Sequence, residues 1–434
     1  RSFITTDMNP YYDKFIQWQF HQLKEKNLIG FGERYSIFSP SDNQACADHD
    51  RSKGEGVKPK EYTIIKLQVQ EPLPAALEQF KGKKVYLGAA TLRPETMYGQ
   101  TNCWLKADGE YGAFQINDDE IFILSERSAR NLAFQKFSRV SGQVECLAKM
   151  TGRELFGATV KAPYSAYESI YVLPMQSVDM EKTTGVVTSV PSDSPDDYAT
   201  YMDIRKKPEY YEKEYGVKPE WVKHDLIPII DIPEIGDLAA EHFCNLHKVA
   251  SQNDKKALEK AHDDCYKLGF AQGVLKVGSF AGTPVKDAKD LIRKELLDAN
   301  LAIPYSEPEE LVVSRSGDVC VVALTDQWYI KYGEEEWKQA LSEYLENEFK
   351  YYNPNTFNDL KDTVDWLREW GCSREFGLGT KLPWDPKYLI ESLSDSTIYM
   401  AFYTIAHQLQ GGVLDGSEEG PFKIKPEQLT REVF

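Results

Sequence analysis

No stretch of this 434-residue chain is apolar for long enough to cross a membrane, since a spanning helix takes about 20 consecutive apolar residues. Basic residues are outnumbered, with 51 Lys and Arg against 68 Asp and Glu. The formal net charge of −17 excludes a chain-wide nucleic-acid footprint, which needs basic surface. Any nucleic-acid role must rest on a local patch or on another part of a larger protein. Cysteine is sparse: Cys46, Cys103, Cys146, Cys244, Cys265, Cys320 and Cys372, scattered and odd in number. With no Cys-x-x-Cys pair, that set argues for reduced thiols and a cytoplasmic protein. An initiator Met is absent at position 1, and Arg1-Ser2-Phe3-Ile4-Thr5-Thr6 lacks the charged-then-apolar layout of a signal peptide. The expectation is an excised fragment. Also missing are a Gly-x-Ser-x-Gly elbow, a phosphate loop, a Rossmann fingerprint and any Ser/His or Cys/His signature. A hydrolase built from this chain must position water rather than arm a side chain as nucleophile.

What remains is a globular composition, 41% hydrophobic and 12% aromatic, on a chain long enough for two or three domains. Residues 1–60 carry an aromatic amphipathic helix from Tyr11 to Leu28, a short strand at 32–38 and a Gly/Lys/Pro-rich linker at 51–60. A second domain is expected over 61–310. It holds strands at 62–70, 84–90, 103–105, 112–124, 157–161, 169–174 and 185–191, and a helix after Ser125 as N-cap. Helices at 253–268 and 287–299 and a Pro-rich closing piece at 304–310 follow. The third region, 311–434, has a buried strand at 319–324, helices near 333–349 and 356–370, and an aromatic helix Tyr399 to Leu409. Many strands with interspersed helices give an α/β class, mixed and β-barrel-like with helices outside.

Two stretches carry chemistry. The first, Thr91-Leu92-Arg93-Pro94-Glu95-Thr96-Met97-Tyr98-Gly99-Gln100-Thr101, follows a strand and starts a short helix near Pro94. Helix starts leave N–H groups without intrahelical partners, so threonines and an arginine there make a polar, anion-tolerant floor. A capped strand-to-helix turn is the plainer reading, because Thr and Pro are common in turns. In the second, Val190-Pro191-Ser192-Asp193-Ser194-Pro195-Asp196-Asp197-Tyr198, Ser194 fits an N-cap, Pro195 the first helical position and Asp197 the third. Asp197 then either serves the cap or joins Asp193 and Asp196 in an acidic rim that suits an ammonium group.

Cys46 and His49 have metal-ligand spacing, with Cys320 a possible third ligand; His242, Cys244, His247, His262 and Cys265 form a second cluster. Neither supplies four closely spaced ligands, so no metal is expected at either.

Thr91-Leu92-Arg93-Pro94-Glu95-Thr96 resembles the threonine-rich motif of the editing domain inserted in class I leucyl-, isoleucyl- and valyl-tRNA synthetases. Val186 to Tyr198 is similar to the second motif of that domain, with Asp197 at its fixed aspartate. Thr188 to Asp197 is similar to the same stretch of eukaryotic and archaeal leucyl enzymes. The flanks Asn9 to Tyr12, Ser39 to Thr63, Cys320 to Tyr329 and Ile390 to Tyr403 resemble cytosolic leucyl-tRNA synthetases, so that the resemblance covers nearly the whole chain. The resemblance implies an editing domain at 61–310 between incomplete pieces of a Rossmann-type catalytic core. The His-Ile-Gly-His-type and Lys-Met-Ser-Lys-Ser-type signatures that bind ATP are absent. The fragment is therefore expected to need no cofactor and not to activate leucine, while the parent uses ATP and Mg.

The implied activity is hydrolysis of the ester in tRNA-Leu mischarged with norvaline, isoleucine or methionine, sparing leucyl-tRNA-Leu, by a monomer that engages the tRNA 3′ end and no membrane. On that resemblance, Asp197 holds the substrate ammonium and Thr96 blocks the branched side chain of leucine by bulk. Thr91, Leu92 and Arg93 line the adenosine and ester side, and Thr188, Val190, Asp193 and Ser194 complete the binding wall. A non-catalytic module for a tRNA end or a protein, and an isoleucyl- or valyl-type editing domain, are the rival readings.

Overall fold

The structure, a computed structural model, describes residues 4–117, 119–375, 377–430 and 432–434, without the side chains of His49 and Trp366. The chain divides into two compact units. One comprises Arg1–Asp50, Ser314–Asp318 and Leu324–Phe434, the other Arg51–Val313 and Val319–Ala323.

In the first unit, Asn9 starts the helix Pro10–Glu25: its Oδ1 accepts the N–H groups of Tyr11 and Tyr12 at 3.0 and 3.1 Å. The side chains spaced for one face, Tyr11, Phe15, Ile16 and Phe20, are buried. This helix stops short of Leu28 because Asn27 takes a left-handed φ of 55°, which ends an α-helix. The aromatic helix Tyr399–Leu409 forms where its apolar spacing placed it. Its Phe402 ring sits 4.9 Å from Tyr12 and 5.5 Å from Phe15. The expected helix at 356–370 is Pro354–Trp366, drawn earlier by an Asn353 cap with Pro354 behind it.

The second unit is built on a ten-stranded mixed sheet. Its strands are β1 (Pro59–Val69), β2 (Lys84–Thr91), β3 (Asn102–Leu105), β4 (Glu110–Gln115) and β5 (Glu120–Leu124). They continue as β6 (Cys146–Thr151), β7 (Thr159–Lys161), β8 (Ile170–Pro174), β9 (Val186–Ser189) and β10 (Ala302–Pro308). The order is β9-β3-β8-β7-β1-β2-β5-β4-β6, with β10 also paired to β1. The architecture is mixed α/β with one large mixed sheet, and that sheet is not a closed barrel. Cα atoms of β9 come within 8 Å of β2, yet no ladder joins the two among the described residues.

β1 alternates apolar and polar residues from Ile65 to Val69, with Gln68 exposed, while Thr63 to Leu67 are buried on both faces. Ile65, Leu67 and Val69 enter the main core, while Ile64 packs with Phe114, Phe122 and Leu124. The stretch 112–124 breaks into β4 and β5 at Asn117, whose Oδ1 accepts the Glu120 N–H at 3.0 Å, a local bond that turns the chain. Helices α1 (Glu126–Ala133), α2 (Pro195–Lys206), α3 (Ala239–Leu246), α4 (Lys255–Gln272) and α5 (Val285–Asp298) cover the sheet's flanks. Residues 304–310, read as a Pro-rich closing piece, are mostly strand β10. β6 and α3 were not anticipated: Cys146–Thr151 has no alternation, and Ala239–Leu246 has no capping side chain at its start.

Candidate functional site

The two motif stretches lie side by side. β3 follows the threonine-rich turn and β9 precedes the aspartate-rich one, and they pair antiparallel with Asn102 opposite Ser189 and Cys103 opposite Thr188. The Thr101 N–H continues the pairing to the Ser189 carbonyl at 3.2 Å. Closeness is enforced at Gly99: a Cβ there would sit 2.9 Å from Val190 Cγ1 and 3.2 Å from Ser192 Oγ. Only a residue without a side chain lets the two turns approach that far.

Pro94–Gly99 is a 3-10 helix with Pro94 at its first turn, as the sequence placed it. Thr91 Oγ1 accepts the Arg93 N–H at 3.0 Å, so the hydroxyl proton of Thr91 remains to donate elsewhere. Leu92 is 40% exposed. Thr96, 4% exposed, gives its hydroxyl proton to the Arg93 carbonyl at 2.8 Å. The Arg93 guanidinium is held on three sides. Nε donates to Glu95 Oε1 at 3.1 Å, Nη1 donates to the Asp193 carbonyl at 3.0 Å, and the Tyr266 ring lies 4.5 Å away.

On the facing wall, Ser194 caps α2 with Pro195 at the first position; its Oγ lies 3.5 Å from the Asp197 N–H. Asp197 does more than cap. Its Oδ1 accepts the Trp104 indole N–H and its Oδ2 the Val190 N–H, both at 2.8 Å. Burial pushes its pKa up to about 7, the Val190 bond opposing and the Asp196 charge adding to the rise. Asp193 is likewise raised to about 7 by burial, with the Arg93 charge and the Ser192 hydroxyl pulling back. Ser192 Oγ donates to Asp193 Oδ2 at 2.6 Å. Asp196 stands further out and faces His262 Nδ1 at 3.1 Å. Thr188 and Val190 are buried on the same wall.

Thus the structure gathers Thr91, Arg93, Thr96, Thr188, Val190, Asp193, Ser194 and Asp197 on two adjoining turns and the strand and helix ends that flank them. Four of their neighbourhood's buried polar atoms, Glu95 Oε2, Gln100 Oε1, Asn102 Nδ2 and Ser189 Oγ, make no hydrogen bond among the described residues. Unspent buried polar groups are rare in folded proteins. A cleft of about 680 Å³ opens nearby, lined by Asp196, Gln252, Lys255, Glu259 and His262. Of the motif side chains Asp196 lines it, while Thr96 and Asp197 do not.

Trp104, Glu95 and Tyr266 were missed from sequence. The clue for Trp104 was available: an indole inside an apolar strand needs an acceptor for its N–H. The His/Cys cluster is dispersed into separate bonds. His247 Nε2 meets Asp264 Oδ2 at 2.7 Å, and Cys244 and Cys265 donate to the carbonyls of Pro195 and Asp193. The His49 side chain lies outside the described residues. Among the described residues no group of three or more His, Cys, Asp or Glu could hold a metal ion.

No protein-family model matches the chain. Over 435 residues it is 51% identical to the cytoplasmic leucine–tRNA ligase of Arabidopsis thaliana, covering all of this chain and 39% of that protein. With the Saccharomyces cerevisiae cytoplasmic leucine–tRNA ligase the identity is 46% over 441 residues, again all of this chain and 40% of the relative. The chain therefore spans about two fifths of the length of these relatives. Among solved structures, GlLeuRS-CP1 is 40% identical with a TM-score of 0.54, matching 57% of this chain and 100% of that one. The editing domain of the P. falciparum cytosolic leucyl-tRNA synthetase is 28% identical with a TM-score of 0.52, at the same coverage. No helix among the described residues is long and apolar enough to cross a membrane. Matched along its whole length by the ligases, and matching the whole of the solved editing domains, the chain belongs to the leucyl-tRNA synthetase family and carries that family's editing domain.

Proposed function

We propose that the second unit is a post-transfer editing hydrolase: it cleaves the ester of tRNA-Leu mischarged with norvaline, isoleucine or methionine and spares leucyl-tRNA-Leu. The observation that carries this reading is the buried Asp197 carboxylate, aligned by Trp104 and Val190 against the turn that holds Thr96. An ammonium group brought to that carboxylate makes a charge-assisted contact and holds the ester in one orientation. The ammonium also draws Asp197 into its charged form, which burial alone disfavours.

Thr96 spends its hydroxyl on the Arg93 carbonyl. It therefore meets the substrate as bulk, which fits exclusion of leucine better than attack. Thr91 keeps a donor for the ester or for water. In the proposed step, water adds to the ester carbonyl carbon, the bond to the ribose oxygen breaks, and a proton passes to that oxygen. The tRNA's free ribose hydroxyl is the proposed assistant, and no side chain forms a covalent link. Hydrogen-bond donors aimed at the developing oxyanion supply the stabilisation. A second, size-reading site is needed because one methylene is worth only about 1–3 kcal/mol in a single pocket.

On this reading the first unit is part of the catalytic core of a parent that ligates leucine to tRNA-Leu with ATP and Mg, in the cytoplasm. The editing unit needs no cofactor and works as a monomer on a single-stranded tRNA end. The test is incubation of the chain with isoleucyl-, norvalyl- and leucyl-tRNA-Leu. Release of isoleucine and norvaline with leucine retained is expected. Hydrolysis of leucyl-tRNA at an equal rate overturns the selectivity claimed here, and hydrolysis of none of the three at high protein concentration overturns the reading in favour of a non-catalytic module.

A further inference from the structure

Helix α4 reaches the site through one face. Cys265 Sγ donates to the Asp193 carbonyl at 3.4 Å, and that carbonyl also accepts Arg93 Nη1 at 3.0 Å. The neighbouring Tyr266 ring lies 4.5 Å from the Arg93 guanidinium and 3.8 Å from the His262 ring. His262 Nδ1 in turn meets Asp196 Oδ2 at 3.1 Å. Arg93 bonds both turns of the site, through Glu95 on one and Asp193 on the other. Its own carbonyl receives the Thr96 hydroxyl. Whatever fixes the guanidinium therefore fixes the distance between the size-reading threonine and the aspartate wall. Sequence gives α4 only the look of a solvated, mixed-charge helix.

We propose that Tyr266 is a positioning residue for editing: its ring face holds Arg93 in place, and through Arg93 it sets the depth of the pocket at Thr96. This rests on the editing reading above. A partly desolvated cation–π contact is strong enough to matter, and it needs the ring; the phenol oxygen is spent separately, on a side-chain hydrogen bond with Ser194. Tyr266→Phe gives up the Ser194 bond but keeps the ring against Arg93, so it should retain the wild-type hold on Arg93 and the sparing of leucyl-tRNA, while Tyr266→Leu should lose both.

The experiment measures kcat and KM for isoleucyl-tRNA-Leu, and residual hydrolysis of leucyl-tRNA-Leu, in wild type, Tyr266→Phe and Tyr266→Leu. The leucine variant is expected to lose about 10-fold in kcat/KM, mostly in kcat, and to begin hydrolysing leucyl-tRNA. The phenylalanine variant should do neither. Leucine and phenylalanine variants that behave alike, whether both active or both impaired, overturn the proposal. Hydrogen exchange of the Arg93 Nε–H, followed by NMR, reads the same contact without substrate: it should quicken in Tyr266→Leu and not in Tyr266→Phe. Unchanged exchange in Tyr266→Leu overturns the proposal even where the wild type proves inactive, an outcome that would separately end the editing reading.

Discussion

Replacing Asp197 by asparagine should make the chain's stability diverge from wild type as pH rises. The carboxyl titrates at about 7 in the folded protein, against 3.8 for the unperturbed group, chiefly because it is buried. Between those values the folded state holds a proton that the unfolded state has released, so wild-type stability falls as pH climbs through the window and levels off above it. Three units of displacement correspond to roughly 4 kcal/mol at the plateau. Asparagine has no proton to exchange. The stability difference, variant minus wild type, should therefore grow by roughly 2.5 kcal/mol between about pH 5 and about pH 8. A constant offset lies beneath that slope. The two side-chain oxygens accept from Trp104 and from Val190, one each, and a protonated acid can still do so through its hydroxyl oxygen, whereas an amide can accept only one of them and turns its NH2 on the other. That mismatch costs roughly 1–3 kcal/mol at every pH. Asp193 carries a similar displacement, but it is present in both proteins and cancels. Urea titrations of the two proteins across the range give the slope. Parallel stability curves would show that Asp197 is not held protonated by burial, and the chemistry assigned to it would lose its electrostatic basis.

Deacylation of isoleucyl-tRNA-Leu should rise with pH through about 7 as Asp197 ionises, and Asp197→Asn should be inactive at every pH; a flat wild-type profile of kcat/KM would contradict this. Thr96→Ala should admit leucine, raising leucyl-tRNA-Leu hydrolysis about 10- to 100-fold, while Thr96→Val, which keeps the bulk, should not; leakage through the valine variant would assign the effect to the hydroxyl. Lys66 Nζ lies 2.9 Å from both Glu120 oxygens and 2.7 Å from Asn300 Oδ1, buried under the sheet. Lys66→Met strands the Glu120 charge and should cost roughly 3–5 kcal/mol in urea unfolding, most of it recovered by adding Glu120→Gln.

Local signals in the sequence reached as far as side chains act on their own backbone. Ser125 and Ser194 start the helices that their positions announce, because a cap bonds within a few residues; the Asn9 cap is the same local signal and was not read. Pro94 likewise opens its short helix. The pairing of the two motifs was legible through family resemblance and not through spacing, since it depends on β3 meeting β9 across the sheet. The partners of the functional side chains were less visible. Trp104 stands far from Asp197 in the chain, and nothing in the charged pattern of 253–268 marks Tyr266 as the residue that would meet Arg93. A hydroxyl's direction is equally hidden: that Thr96 turns back to the Arg93 carbonyl is a product of the 3-10 turn. In β1 the alternation of Ile65-Lys66-Leu67-Gln68-Val69 suggests one wet face, yet Lys66 is buried because Glu120 lies within 2.9 Å of it, a partner the local pattern cannot show.

The pairing of β10 with β1 runs from Ala302 opposite Ile65 to Pro308 opposite Pro59. The second unit's main segment therefore begins and finishes on neighbouring strands, about 4.8 Å apart. A host chain could splice in such a module at the cost of one widened loop, because the gap it must bridge is no larger than a hairpin's. The same arrangement has a mechanical side. Tension applied at Pro59 and Pro308 would load the ladder from its open end and part the hydrogen bonds one after another, like a zip. The seam that makes the module easy to insert is also where it would first come undone under pull.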